Sequence, residues 1–352
     1  MTSQERIRRA YDHKEADRVP ITDSPWAGTL ARWRREGMPA DADWRDVFDV
    51  DKMYSLWVDI TPRYEQKVLE ETDEYQIVTT AWGVTMKTFK EQDSTPHFLD
   101  FKVNTPEAWE AAKARMKPDD DRINWDNIKA AHAKWRSQGA WIDAGFWFGF
   151  DVTHSWMSGT DTVLMAMLDD PEWFKDMVST YLEMDLALFG KIWDAGYHFD
   201  GISWPDDMGY KGHTFFSNEA YAELLQPFHK RAIDWAHDRG IVAHLHSCGD
   251  IMERVPQLVE IGVDGLNPIE IKAGMDIHAL KRDYGDKLLL HGGVNAQIFD
   301  QPDKVIPYIE AMLPDVKRNG GYIFSSDHSI PNSVSFDTYK LIVDAVKRLG
   351  AY

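Results

Sequence analysis

HFDGISWPDDMGYKGHTFFSNEAYAELLQPFHKRAIDWAHDRGIVAHLHSCGD, residues 198–250, is the stretch on which the fold turns. Its two ends, 198–204 and 241–246, are short and apolar on both faces, as strands covered on both sides must be. A helix lies between them. Ser217 is placed to cap it and Glu219 stands in its first turn. Tyr221, Leu224, Leu225, Phe228, Ala232, Trp235 and Ala236 repeat along one face, and Gly240 stops it. Strand, amphipathic helix and strand at this spacing predict a right-handed crossover between parallel neighbours.

The pattern continues outward. Residues 264–268, 288–292 and 322–325 read as further strands, with Asp250, Asp276 and Ser335 placed to cap the helices that follow. The last helix carries Tyr339, Leu341, Ile342, Ala345 and Val346, and Gly350 ends it. The front half offers three more strands, 18–21, 53–58 and 141–148, which with the five above make eight. This predicts an α/β protein, a single (β/α)8 TIM barrel spanning 1–352 as one domain. Residues 75–89 break the alternation and read as a β-hairpin around Trp82-Gly83, inserted in the N-terminal part.

Composition narrows the partners. Lys plus Arg total 39 against 58 Asp plus Glu, a net charge of −19, which argues against nucleic acid and anionic membranes. The single cysteine, Cys248, forms no internal disulfide and suits a reducing compartment. The first residues are charged and lack an apolar core, so no signal peptide is expected, and no apolar run is long enough to span a membrane. A cytoplasmic location follows as the expectation. Clustered aromatics (Trp26, Trp33, Trp44, Trp57; Phe146, Trp147, Phe148, Phe150) fit packing under loops, with an aromatic-walled pocket as the alternative.

In such a barrel the chemistry sits just past the strand ends. Five consecutive ends carry polar clusters beside Gly or Pro: Pro205-Asp206-Asp207-Met208-Gly209, Ser247-Cys248-Gly249-Asp250, Asn267-Pro268-Ile269-Glu270, His291-Gly292-Gly293-Val294-Asn295 and Ser326-Asp327-His328-Ser329-Ile330-Pro331. A period of two puts His244, His246 and Cys248 on one side of their strand. Imidazole and thiolate are preferred zinc ligands, and an open catalytic site uses three protein donors. His246, Cys248 and His328 are therefore the candidate metal ligands, with His244 a deeper supporting residue. The bland alternative makes Cys248 a small buried apolar group and His246 a hydrogen-bonded core imidazole. Asp207 and Glu270 are candidate acid/base residues, and Asn295 a candidate cofactor-binding residue. Asp206 and Asp207 point in different directions, so one of them faces the substrate and the other caps or lies at the surface. Arg32, Arg34 and Arg35 offer a bidentate grip for a carboxylate, although a solvated helix face accounts better for two of them.

At these residues the chain resembles the uroporphyrinogen decarboxylase superfamily, which includes corrinoid-dependent methyltransferases such as the methylcobamide:coenzyme M enzymes. The likeness runs from Glu5-Arg6 and Asp17-Arg18-Val19-Pro20 through Pro205-Asp206-Asp207, His246-Ser247-Cys248-Gly249-Asp250 and 262–268 to 320–331. Two departures bear on the reaction. Where uroporphyrinogen decarboxylase carries an Arg-Gln-Ala-Gly-Arg segment, this chain has Asp23-Ser24-Pro25-Trp26-Ala27-Gly28. The zinc methyltransferases have a second Cys near the C-terminus, where this chain has His328. The resemblance implies a zinc-dependent methyltransferase moving a methyl group between a corrinoid and a small thiol or oxygen substrate, O-demethylation being one direction. Its partners would be a small molecule and a corrinoid protein, with a homodimer allowed by family habit. A metal-free decarboxylase using Asp207 is the alternative, and a non-catalytic barrel that binds a corrinoid or a partner protein is the third reading.

Overall fold

The computed structural model describes residues 1–90 and 95–352. The central sheet has seven parallel strands in the order β1 (Met53–Leu56), β6 (Trp141–Gly145), β7 (Gly201–Pro205), β10 (Val242–His246), β11 (Gly265–Asn267), β12 (Leu289–His291) and β13 (Tyr322–Ile323). Helices Trp125–Ser137, Pro171–Asp194, Gln226–His237, Val255–Glu260, Ile277–Tyr284, Pro302–Val316 and Phe336–Gly350 alternate with these strands. Parallel order places every strand's C-terminal end, and so every polar cluster predicted above, at one mouth.

The sheet is an open, distorted barrel rather than the closed eight-stranded one expected. Residues 18–21 lie where the eighth strand belongs, but Ile21 makes only an isolated parallel bridge to Phe324. Two features interrupt the ladder there. Pro20 has no N–H to donate. The Ile21 N–H goes to the Asp51 carboxylate (2.9 Å), while the Asp51 N–H returns to the Ile21 carbonyl (2.8 Å). Asp51 is buried and also pairs with Arg6 and, at 2.7 Å, with Arg18. Arg6 in turn holds Asp17 at 2.7 Å, so the Asp17-Arg18 and Glu5-Arg6 segments form one ion network across the gap.

The expected hairpin is the centre of something larger. Residues 75–89 do form β3 (Tyr75–Thr79) and β4 (Val84–Phe89), flanked by β2 (Lys67–Glu71) and β5 (His97–Phe101) in a four-stranded antiparallel sheet. The outer strands escape a hydrophobic-pattern reading because KVLEE is exposed throughout and HFLDF is never fully buried. A second small hairpin joins β8 (Gly209–Tyr210) to β9 (His213–Thr214).

The helix expected from Ser217 to Gly240 starts on its cap, the Ser217 hydroxyl accepting from the Ala220 N–H. It breaks at Leu225 into two pieces, because Pro227 removes a donor and clashes with the preceding turn. Asp276 and Ser335 cap as expected, whereas Asp250 closes a turn, accepting from the Met252 N–H. Most of the clustered aromatics are core: Trp33 is fully buried against Phe48 and Tyr339, and Phe146, Phe148 and Phe150 are fully buried elsewhere, whereas Trp26 is half-buried and Trp57 is 54% exposed.

The Asp51 knot predicts a stability effect. Asp51→Ala leaves two arginines without their buried partner, and about 3–5 kcal/mol should be lost, read as a lower urea midpoint.

Candidate metal centre and active site

Strand register assembles the site. His246 on β10 lies level with Pro205 on β7 and with Asn267 on β11. Two residues further along, Asp207 and Cys248 therefore emerge at the same height from adjacent strands. The two loops are pressed together at Gly249, whose φ of +88° and contact with the Gly209 backbone exclude a Cβ. Asp207 Oδ1 accepts the Cys248 N–H at 2.7 Å, and Glu270 Oε2 accepts the Gly249 N–H at 2.7 Å. Both candidate acid/base residues thus shape the thiol loop from either side.

Cys248 Sγ lies 3.3 Å from His246 Nε2. The other ring nitrogen, Nδ1, is 2.6 Å from Asn267 Oδ1, and Asn267 Nδ2 donates to the His291 carbonyl at 3.1 Å. A carbonyl can only accept, so the Asn267 amide nitrogen must face His291 and its oxygen must face His246. His246 then carries its proton on Nδ1 and turns the Nε2 lone pair toward the sulfur. Such an outer hydrogen bond orients an imidazole for metal binding.

Asp207, His246 and Cys248 each offer one ligand atom, all within 4.8 Å of one another. Tetrahedral zinc bonds to sulfur and nitrogen place those atoms roughly 3.6 Å apart, close to the separation observed. The donor set fits a zinc ion. His328 stands outside this group but lines the same cavity as His246, with Trp26 stacked on it at 6.1 Å between ring centroids. The cavity holds about 450 Å³ and is walled mainly by hydroxyls and imidazoles, among them Thr22, Ser326, His246, His291 and His328. A second cavity of about 350 Å³ opens on the Cys248 side, bordered by Tyr210, Lys211, Glu270 and Lys272.

The remaining candidates fall into place. Asp206 turns inward, fully buried, bonded to His229 at 2.7 Å and to the Asp151 N–H at 2.8 Å. Of the adjacent carboxylates, Asp207 alone faces the thiol. His244 is a deep supporting residue bonded to the Tyr11 hydroxyl at 2.9 Å. Asn295 caps the turn Ala296–Ile298 through its side-chain oxygen, which accepts from the Gln297 N–H. Arg32 holds the carbonyls of Asn332 and Ser333 and pairs with Glu36.

Sequence reading passed over Asp151 and His154, which follow β6, Asp151 just before and His154 within a π-helix, Val152–Ser158, of the kind that often marks functional sites. Looking past 141–148 as past the other strands reaches them. Desolvation, with the charge of Asp207 nearby, pushes Asp151 up to about 8, and desolvation takes His154 down to about 4. Desolvation likewise raises the Cys248 thiol well above its usual value, helped by Asp207 and Glu270. His291 is held neutral by burial, down to about 3.

No curated protein matches the chain. Among solved structures it is similar to a methyltransferase from Methanosarcina mazei at 15% identity, with a TM-score of 0.68 and 99% of each chain covered, a likeness of fold. The family model for uroporphyrinogen decarboxylase (URO-D) matches residues 2–349. Fold, strand-end clusters and this match along nearly the whole chain agree, and the protein belongs to the uroporphyrinogen decarboxylase family.

Proposed function

We propose that the chain is a zinc-dependent methyltransferase that moves a methyl group between a corrinoid and a small thiol or oxygen substrate. The observation that carries this reading is the Asn267 amide, which fixes the His246 tautomer so that Nε2 points at the Cys248 sulfur. His246 and Cys248 would hold the metal, with Asp207 as the third donor in the arrangement described and His328 available from the cavity wall. When bound, zinc would supply Lewis acidity that lowers the pKa of a substrate thiol or hydroxyl. The corrinoid enters from the sequence resemblance, and with its oxygen occupied in a cap, Asn295 would contact it through the amide nitrogen.

The chain's own groups suit the accompanying proton work. Asp151, raised to about 8, keeps a proton at neutral pH and stands near Asp207 on the acidic side of the site. Glu270 faces the Lys272 ammonium at 3.4 Å and stiffens the loop that carries the thiol. The His246 and Cys248 sides open on separate cavities, which suits a reaction with two partners. Metal-free decarboxylation of a polycarboxylate is the competing reading. The larger cavity offers it one arginine, Arg45, itself paired with Asp43.

Protein purified without chelators should contain close to one zinc per chain by elemental analysis, and Cys248→Ala should contain little. Methyl transfer, followed through the visible absorbance of the corrinoid, should fall with the metal; full activity in metal-free wild type removes the proposal. Asp207→Ala should weaken zinc binding more than His328→Ala, and the reverse order would make His328 the third ligand. Asn267→Leu should lower zinc affinity by about 10–100-fold while the chain stays folded, the size typical of losing a supporting hydrogen bond.

A further inference from the structure

The larger cavity has an unbalanced charge. Among the described residues, three charged side chains line it: Asp23, Arg45 and Asp51. Asp51 is matched by Arg6 and Arg18. Arg45 is matched by Asp43 at 3.3 Å and lies over the rings of Trp44 and Tyr54. Among the described residues no cation pairs with Asp23. Its Oδ1 accepts from the Ser326 hydroxyl at 2.7 Å and the Ser24 N–H at 3.0 Å. Its Oδ2 lies 3.4 Å from the Ser326 N–H, and the buried Tyr339 hydroxyl also stands against the carboxylate, so every neighbour of Asp23 is a neutral donor.

The imidazoles do not pair with this carboxylate: His291 Nε2 is taken by the Thr22 hydroxyl at 2.7 Å, and among the described residues no histidine forms an ion pair with Asp23. Desolvation lifts Asp23 itself to about 7, and the groups that pull it back are hydroxyls and backbone amides, with no cationic side chain among them. A poorly hydrated carboxylate held by neutral donors and without a counter-ion is stabilised further by a cation that arrives with the ligand. The net charge of −19 adds a field that draws cations toward the protein.

We infer that this cavity takes a small organic cation, an ammonium compound whose charge is neutralised by Asp23. This deepens the methyltransferase reading by giving its small substrate the cavity on the His246 side, and it rests on that reading. The surrounding hydroxyls of Thr22, Ser325 and Ser326 suit a ligand that also carries a polar group. About 450 Å³ is the volume of a pocket for a small molecule.

Choline and its neutral tert-butyl analogue, equal in shape and different in charge, provide the test by titration calorimetry on the full chain. Choline should bind about tenfold more tightly, the effect of one charge-assisted contact in a partly dry site. In Asp23→Asn the two probes should become nearly equal. Ser326→Ala, which loosens the grip on Oδ1 and leaves the charge, should keep the preference and guards against a misfolded Asp23 variant. Equal binding of the two probes to wild type, a preference that survives Asp23→Asn, or no binding of choline at high millimolar concentration each overturns the inference. Because the titration needs no turnover, the two readings fail separately. Retained zinc and methyl transfer without charge preference removes only this one. Charge preference in a protein that binds no zinc removes only the metal.

Discussion

A single carboxylate, Asp51, holds the barrel where its sheet does not close. Between β13 and β1 the ladder is reduced to the isolated bridge at Ile21, and the Asp51 side chain accepts the Ile21 N–H while gripping Arg6 and Arg18. Buried ion pairs contribute little net stability against an apolar alternative, because both charges lose their water. What this one contributes is register. Beyond Ile21, Thr22 bonds to His291 at 2.7 Å and Asp23 to Ser326, so the cavity wall is assembled from both ends of the chain at the seam that Asp51 controls.

A second constraint acts on the opposite side of the mouth. Parallel pairing sets His246 beside Asn267, and the Asn267 amide then links two strand ends, His246 on β10 and His291 on β12. Because a carbonyl fixes one end of the amide, the imidazole has no freedom to reverse its tautomer. The orientation of the Nε2 lone pair is therefore a consequence of sheet register, two steps removed from the sulfur it faces. Gly249 completes the arrangement by letting two backbones approach where any side chain would separate them.

Much of this was legible from the chain. Buried parallel strands announce themselves as short apolar runs, and polar clusters beside Gly or Pro announce their ends, so seven strand positions and the loops of Asp207, Cys248 and Glu270 could be read directly. What was not legible depended on side chains competing with the backbone. Residues 18–21 have a strand's composition, yet a carboxylate takes the hydrogen bond that a neighbouring strand needed. β2 and β5 are too exposed to show an apolar face. Leu225 interrupts a continuous apolar stripe because of a proline two residues on. Nor does sequence reveal how far a loop leans inward. His328 and Asp207 are equivalent as strand-end residues, but the loop of His328 is drawn toward Asp23 through Ser326, while Asp207 is drawn over the thiol by the Cys248 N–H.

The electrostatics around Cys248 discriminate among the uses a lone cysteine can have. Reactive thiols sit in electropositive surroundings that favour the thiolate. Here desolvation and the charges of Asp207 and Glu270 oppose it, with Lys272 acting in the other direction. A nucleophilic or redox role would require the chain to work against its own field. A bound cation would outweigh these effects, since it attracts the carboxylates and the sulfur together and makes the thiolate the stable form. Carboxylates that would disable a nucleophile are the groups a metal centre gathers, and on that physical ground the arrangement favours a ligand sulfur over an attacking one.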